Sequence, residues 1–203
     1  MTAHYNSNHQ PLAGFVGARS QALKADLTKE DDVVNLFREA EYTHGPVQIL
    51  VINHAIAVSQ DVHLWDMSID QWRGTIDANL TSSFLVAREY LRRLKVASGD
   101  KKEMAAIILI GSTAGKYGVS CTFNFEVANF LLEVRQGMQI TLPRKVVSEE
   151  NLPPLNKNMT KFDTAMMYGL TMSLKNEIVK IAPVARVNTI APGWVKTVHP
   201  VSI

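Results

Sequence analysis

Four short apolar runs punctuate the chain: Gln21 to Leu27 (QALKADL), Val47 to Ala55 (VQILVINHA), Ala105 to Ser112 (AAIILIGS) and Ala185 to Pro192 (ARVNTIAP). Most positions in each are apolar, without the alternation of a half-exposed sheet, so each reads as a strand covered on both faces. Segments with helical period separate them. Thr28 to Gly45 opens on a threonine followed by acidic residues and closes on glycine, the start and stop signals of a helix. Ser68 to Gly99 carries Trp72, Ile76, Leu80 and Phe84 at every fourth position, which predicts one buried stripe. A further helix, Thr164 to Ala182, precedes the last strand. Strand and helix in alternation predict an α/β fold built on a doubly wound parallel sheet.

One interval breaks this rhythm. Val119 to about Met159 has no clean period and holds three prolines, and so long a structureless stretch is unusual inside a compact α/β domain. A helix over Phe125–Met138 is the one element its pattern suggests.

Composition narrows the class. With 203 residues, 46% of them hydrophobic, the chain reads as a single domain over 1–203 with a real core. The formal charge of +2 and the scatter of Lys and Arg, clustered only at LRRLK and DKK, argue against a nucleic-acid partner. Cys121 is the single cysteine, so no internal disulfide can form and a reducing compartment is expected. The first residues show no secretory pattern, and the longest apolar run is too short to span a bilayer, so the expected setting is the cytoplasm, away from membranes. Six histidines without His-x-x-x-His spacing predict no metal site.

The candidate chemistry centres on Ile107 to Gly118 (IILIGSTAGKYG), where a branched apolar run stops at a turn with three glycines and a serine. Such a turn is either a phosphate cradle or the seat of a functional hydroxyl. Gly111, Gly115 and Gly118 stand at offsets of zero, four and seven, and no suitable helix or later acidic residue follows, so the serine reading is the better one.

The neighbours of that serine carry a resemblance. Asn53 to Ala55 (NHA), Asn79 to Val86 (NLTSSFLV), Ser112, and Arg186 to Thr197 (RVNTIAPGWVKT) occur in the order found in the short-chain dehydrogenase/reductase family. The chain resembles that family over Ala22–Gly118 and again over about Thr164–Thr197. The resemblance implies a Rossmann-like fold and hydride transfer between a nicotinamide cofactor and a small-molecule carbonyl or secondary alcohol. It assigns Ser112 to the substrate oxygen and Asn79 to the support of a proton-relay water. Asp26 and Leu27 match the pair that receives the adenine ring. Asn53 and Ala55 match the family's Asn-Asn-Ala-Gly turn, with His54 and Ile56 in place of its second Asn and its Gly. Pro192 and Gly193 match the turn beside the nicotinamide, and Val195 and Thr197 the positions that bind its carboxamide and the phosphates. The segment HYNSN, at the end of the family's second strand, lacks the acidic residue of NAD-preferring members, so NADP is expected over NAD. Family assembly implies a homo-oligomer through the 69–96 helix.

Three departures cut against full activity. The family's first strand and its Thr-Gly-x-x-x-Gly-x-Gly loop have no counterpart, so the sheet is expected to lack its central strand and to leave a sticky edge on VQILVINHA. Aligning the family's Tyr-x-x-x-Lys falls on Met159 and Asp163, or on Thr160 and Thr164, and none of the five tyrosines has a lysine four residues on. Val119–Phe162 reads as an atypical insertion, translated intron being one origin, and the chain as truncated at both ends. Two functions therefore stay open: an NAD(P)-dependent oxidoreductase impaired in this chain, or a non-catalytic remnant that acts by binding a partner.

Overall fold

The structure, a computed structural model, describes residues 1–56, 63–111 and 169–192. All four apolar runs form strands, and HYNSN begins inside a fifth. β1 (Thr2–Tyr5) and β2 (Gln21–Lys24) pair in parallel, from Thr2 opposite Gln21 to Tyr5 opposite Lys24. β3 (Ile49–Ile52), β4 (Ala106–Ile110) and β5 (Arg186–Ile190) form a second parallel sheet in the order β3-β4-β5. Its register sets Val51, Ile108 and Asn188 in one row.

α1 (Glu30–His44) stops at Gly45, whose φ of 77° lies in the left-handed region that favours glycine. Its Val33, Phe37 and Ala40 are buried, at the spacing that keeps one face of a helix on the core. α2 (Ile69–Ile76) is capped by Ser68, whose Oγ accepts from the Gln71 backbone at 3.1 Å. A π-helical stretch, Asp77–Thr81, leads without a break into α3 (Ser82–Val96). A single-turn helix, α4 (Gly99–Lys102), precedes β4, and α5 (Thr171–Ile181) precedes β5.

The expected stripe of the long helix needs correction. Phe84 is 49% exposed, while the buried row runs through Thr75, Asn79, Ser83, Val86, Tyr90 and Leu94. Small polar side chains line its first half, where Asn79 and Ser82 bond to the chain leaving β3. Hydrophobicity alone marks the other row, of which Trp72, Ile76 and Leu80 are half-buried and Phe84 is exposed.

Coverage of the sheet is described on one face. Leu50, Ile52, Ile107, Leu109 and Val187 share one core with Val33 and Phe37 of α1, Leu85 and Val86 of α3, and Leu174 and Ile178 of α5. On the opposite face, Ile49, Val51 and Ile190 are 53%, 54% and 51% exposed among the described residues. The strands read as two-sided because their apolar residues are continuous, yet among the described residues every helix packed on the core covers the same side.

Among the described residues the strands form two separate sheets. β1 and β3 are not paired, and among the described residues no strand lies between them. Helices hold the halves together. Ala25 and Leu27, just past β2, join the same core as Ile52 and Ile107, and Arg93 of α3 reaches Glu41 of α1 at 2.6 Å and the Val34 carbonyl at 3.2 Å. No helix among the described residues is long and apolar enough to cross a membrane.

Candidate functional site at the carboxyl ends of the strands

Parallel strands leave their loops, and so their ligand sites, at one end. Asp26 and Leu27 follow β2, Asn53 and Ala55 follow β3, and Pro192 follows β5, so all five lie past the carboxyl ends of strands. Asn79 is brought to the turn after β3 from the π-helical stretch. Ser112, Gly193, Val195 and Thr197 lie outside the described residues, as do Met159–Thr164 and the 119–162 segment.

Asn79 makes the central contact. It is 4% exposed, and its Oδ1 accepts from the Ile56 backbone N at 2.9 Å while its Nδ2 donates to the Ile56 carbonyl at 3.5 Å. The two bonds fix the turn after β3 as a strand pairing would. The π-helical bulge lets the asparagine reach the turn, and bulges of this kind concentrate at functional positions. Ser82 and Ser83 donate to the carbonyls of Ala78 and Asn79, four residues back, at 2.7 and 2.8 Å.

His54 supplies a second tie that the sequence did not reveal. Its Nε2 lies 2.7 Å from Ser82 Oγ. Because that hydroxyl already donates to Ala78, the imidazole must be the donor, which places its proton on Nε2. Burial lowers the His54 pKa to about 4, with a smaller contribution in the same direction from His4 of β1. The imidazole is therefore neutral near pH 7. His54 stood out in the sequence as a departure from the Asn-Asn-Ala-Gly turn, and here it holds that turn to the helix. His4 in turn donates from Nε2 to the Ala25 carbonyl at 2.8 Å, steadying the chain where β2 ends.

At the far side, the Asp26 carboxylate accepts from the Thr28 hydroxyl at 2.7 Å and the Thr28 amide at 3.1 Å, and meets Lys29 at 3.4 Å. The Thr28 bonds, with help from Lys29, hold its pKa below the ordinary carboxylate value. Asp32 of α1 accepts from the Asp26 backbone N at 2.8 Å, so this corner is rigid and anionic. Leu27 beside it is buried. Past β5, Gly111 N donates to the Ile190 carbonyl at 2.7 Å, so the chain entering Ser112 and the chain entering Pro192 leave the sheet side by side.

What can a dinucleotide use here? The corner at Asp26 offers a carboxylate, which suits the amino group of an adenine, and the Asn53–Ile56 turn offers a fixed backbone edge. A pyrophosphate fits less well. Such a group sits at a helix N-terminus with free amides. α1 opens with Glu30, Asp31 and Asp32, and α2 with Asp70, so neither of these helices favours an anion. Ile56 adds a half-exposed side chain at the matched glycine of the turn. Among the described residues no group of three His, Cys, Asp or Glu side chains is placed to hold a metal.

A parallel α/β sheet with a turn clamped by an asparagine at the carboxyl ends of its strands has the Rossmann-like arrangement. A family model described as short chain dehydrogenase matches residues 5–127, more than half of the chain. The chain belongs to the short-chain dehydrogenase/reductase family. It is 30% identical over 178 residues to the 3-oxoacyl-acyl-carrier-protein reductase MabA of Mycobacterium avium, covering 85% of this chain and 64% of that one. It is 30% identical over 171 residues to NADPH-dependent aldehyde reductase 2, chloroplastic, of Arabidopsis thaliana, covering 80% and 61%. Against a short-chain type dehydrogenase/reductase of Picea abies it is 28% identical over 138 residues, covering 66% and 51%. The chain thus spans less than two thirds of the length of these relatives.

Proposed function

We propose that this chain carries an NADP(H) site of the oxidoreductase type that has kept the turns for the two ends of the cofactor, with Ser112 orienting a carbonyl oxygen. The observation that carries the reading is the Asn79 clamp on Ile56, which fixes the turn after β3 at a sheet end where Asp26, Leu27 and Pro192 also emerge. The cofactor, when bound, supplies the hydride. The chain's own residues hold the adenine at Asp26 and Leu27, line the cofactor along Asn53 and Ala55, and receive the nicotinamide between Pro192 and Gly193, with Val195 and Thr197 reaching its carboxamide and phosphates. Asn79 positions the turn and, through it, a water for proton relay.

Absence of an acidic side chain after β1, where Asn6 and Ser7 stand, supports NADP over NAD. The names of the relatives point to a small carbonyl substrate, an aldehyde or a 3-oxoacyl thioester. Trp65, Ile69 and Phe84, 78%, 59% and 49% exposed, support assembly of like chains through the 69–96 helix, and the single cysteine supports a cytoplasmic setting.

A second reading is favoured by one observation: no tyrosine of the sequence is followed by lysine at the fourth position. A phenol with a lowered pKa is the general acid of this chemistry, and losing such a group costs roughly 10²–10⁴ in rate. On that reading the chain is a non-catalytic remnant. Titration with NADPH, followed by its own fluorescence, tests both, together with NADPH consumption in the presence of an acetoacetyl thioester or an aliphatic aldehyde. Saturable binding with turnover that falls in Ser112→Ala supports the enzyme. Binding without turnover supports the remnant, and no binding by a folded, monodisperse sample overturns the cofactor site.

A further inference from the structure

The turn after β3 is held at two points, and both holders sit one helical turn apart on the helix beside it. Asn79 bonds both backbone polar groups of Ile56, and Ser82, three residues on, meets the imidazole of His54 at 2.7 Å. Asn53 and Ala55, the other members of the turn, are exposed. Ser82 is fully buried and spends its own proton on the Ala78 carbonyl, so His54 gives it the Nε2 proton and keeps Nδ1 bare. A second proton must enter at Nδ1, and the surroundings offer it no partner. The helix presents Asn79, Ser82 and Ser83, all uncharged. From β1 comes His4, whose positive form opposes another charge and which is the one titratable group acting on His54 among the described residues. The carboxylates of neighbouring elements, Asp77 and Asp26, are bonded to Thr81 and to Thr28 and Lys29. A half-buried cation with no carboxylate beside it is costly, and moving into water removes the cost.

We propose that His54 is a proton-operated latch on the turn after β3: with the ring neutral the turn is closed against Asn79 and Ser82, and uptake of a proton from solvent at Nδ1 swings the ring into water and releases Ile56 from Asn79. The two attachments fail together because they lie two residues apart on the turn and three apart on the helix. The event is local. His54, Ile56, Asn79 and Ser82 all lie outside the apolar core that Ile52, Leu109 and Ile178 share, so the latch opens without dismantling it. The closed turn is the form that presents a fixed backbone edge past β3, and a ligand held by that edge binds the neutral form and is shed by acid. The device belongs to the turn itself and stands whether or not the ligand is a cofactor.

The test is nuclear magnetic resonance of the full, isotope-labelled chain, read at the His54 ring, the Ile56 amide and, as a core reference, the Leu109 amide. At neutral pH the ring is expected as the uncharged Nε2–H tautomer. Its folded pKa of about 4 lies below the ordinary 6.5, so the open turn takes a proton that the closed one refuses, and acid favours opening. Protection of the Ile56 amide against hydrogen exchange is therefore expected to fall about twentyfold from pH 7 to pH 5. At each pH it is expected to lie at least about tenfold below that of Leu109 and to ignore low urea, as a local opening does. His54→Gln keeps an N–H donor for Ser82 but cannot titrate. It is expected to retain the protection of Ile56 at pH 7 and to lose its pH dependence, whereas His54→Ala loses the protection at both. An undiminished pH dependence in His54→Gln overturns the proposal. So does a ring that is charged or of the Nδ1–H tautomer at pH 7, or an Ile56 amide that shares the protection and urea dependence of Leu109. The last two are read on the parent chain alone and decide the matter even where a variant fails to fold.

Discussion

Asn79 holds Ile56 by both backbone polar groups, accepting from its amide at 2.9 Å and donating to its carbonyl at 3.5 Å. A side chain from a helix thus takes the place of a neighbouring strand for one residue, at the point where the chain leaves β3 for the site. Asn79→Leu removes both bonds, and the orphaned groups at Ile56 cost about 1–3 kcal/mol. Urea unfolding is expected to show that loss. Asn79→Asp, which keeps the acceptor, is expected to lose less, and any NADPH affinity is expected to fall further in Leu than in Asp.

His54 makes stability depend on pH. Its folded pKa of about 4 lies below the ordinary 6.5, so between these values the unfolded chain binds the proton that the folded one refuses. Stability is therefore full above about pH 6.5 and declines as pH falls toward 4, by about 2–3 kcal/mol in all. His54→Asn is expected to flatten this part of the profile. An unchanged slope in urea midpoints from pH 7 to 4.5 would exclude the assigned role.

Ile56 stands at the matched glycine of the turn and is 47% exposed. Ile56→Gly leaves both Asn79 bonds intact, since they use only the backbone, and is expected to change stability by about 1 kcal/mol or less. NADPH is expected to bind the variant more tightly than the parent. Equal or weaker binding in a fluorescence titration would show that the side chain does not obstruct a cofactor.

Tyr90 joins α3 to the start of β3. The residue is 1% exposed and its hydroxyl donates to the Gln48 carbonyl at 2.6 Å; burial pushes its pKa up to about 12. Tyr90→Phe is expected to cost about 1 kcal/mol through that bond, and Tyr90→Ala about 3–5 kcal/mol through the cavity. Thermal melts of the two variants separate the terms.

Arg93 lies between Glu41 at 2.6 Å and Glu89 at 2.7 Å, with all three largely shielded from water. Arg93→Met leaves two carboxylates facing a vacancy and is expected to destabilise more than the triple change to Arg93→Met, Glu41→Gln and Glu89→Gln. Comparing the two in urea checks whether the ion triad, and not the packing of the arginine stem, ties α1 to α3.

Local pattern carried much of this fold. The branched apolar runs around Leu50, Ile108 and Val187 had nowhere stable to go but a parallel sheet, and Gly45 marked the end of α1 because a left-handed residue there is a local requirement. Motif order likewise placed Asp26, Asn53 and Pro192 past the ends of strands, since a parallel topology forces every such position to one edge. Three features escaped the pattern. The buried row of α2 and α3 was Thr75, Asn79 and Ser83 and not Trp72, Leu80 and Phe84, because bonding to the turn after β3, a property of the neighbour, drew small polar residues inward.

The proton position on His54 followed from Ser82 having already spent its own donor, a fact about three residues distant in sequence. The exposure of Ile49, Val51 and Ile190 among the described residues was hidden for the same reason. A sequence states which side chains prefer to leave water, and that determined the elements, their direction and the end at which the site lies. Whether each preference is met depends on what packs opposite. That was decided only by the tertiary arrangement, which among the described residues put all the core helices on one side of the sheet.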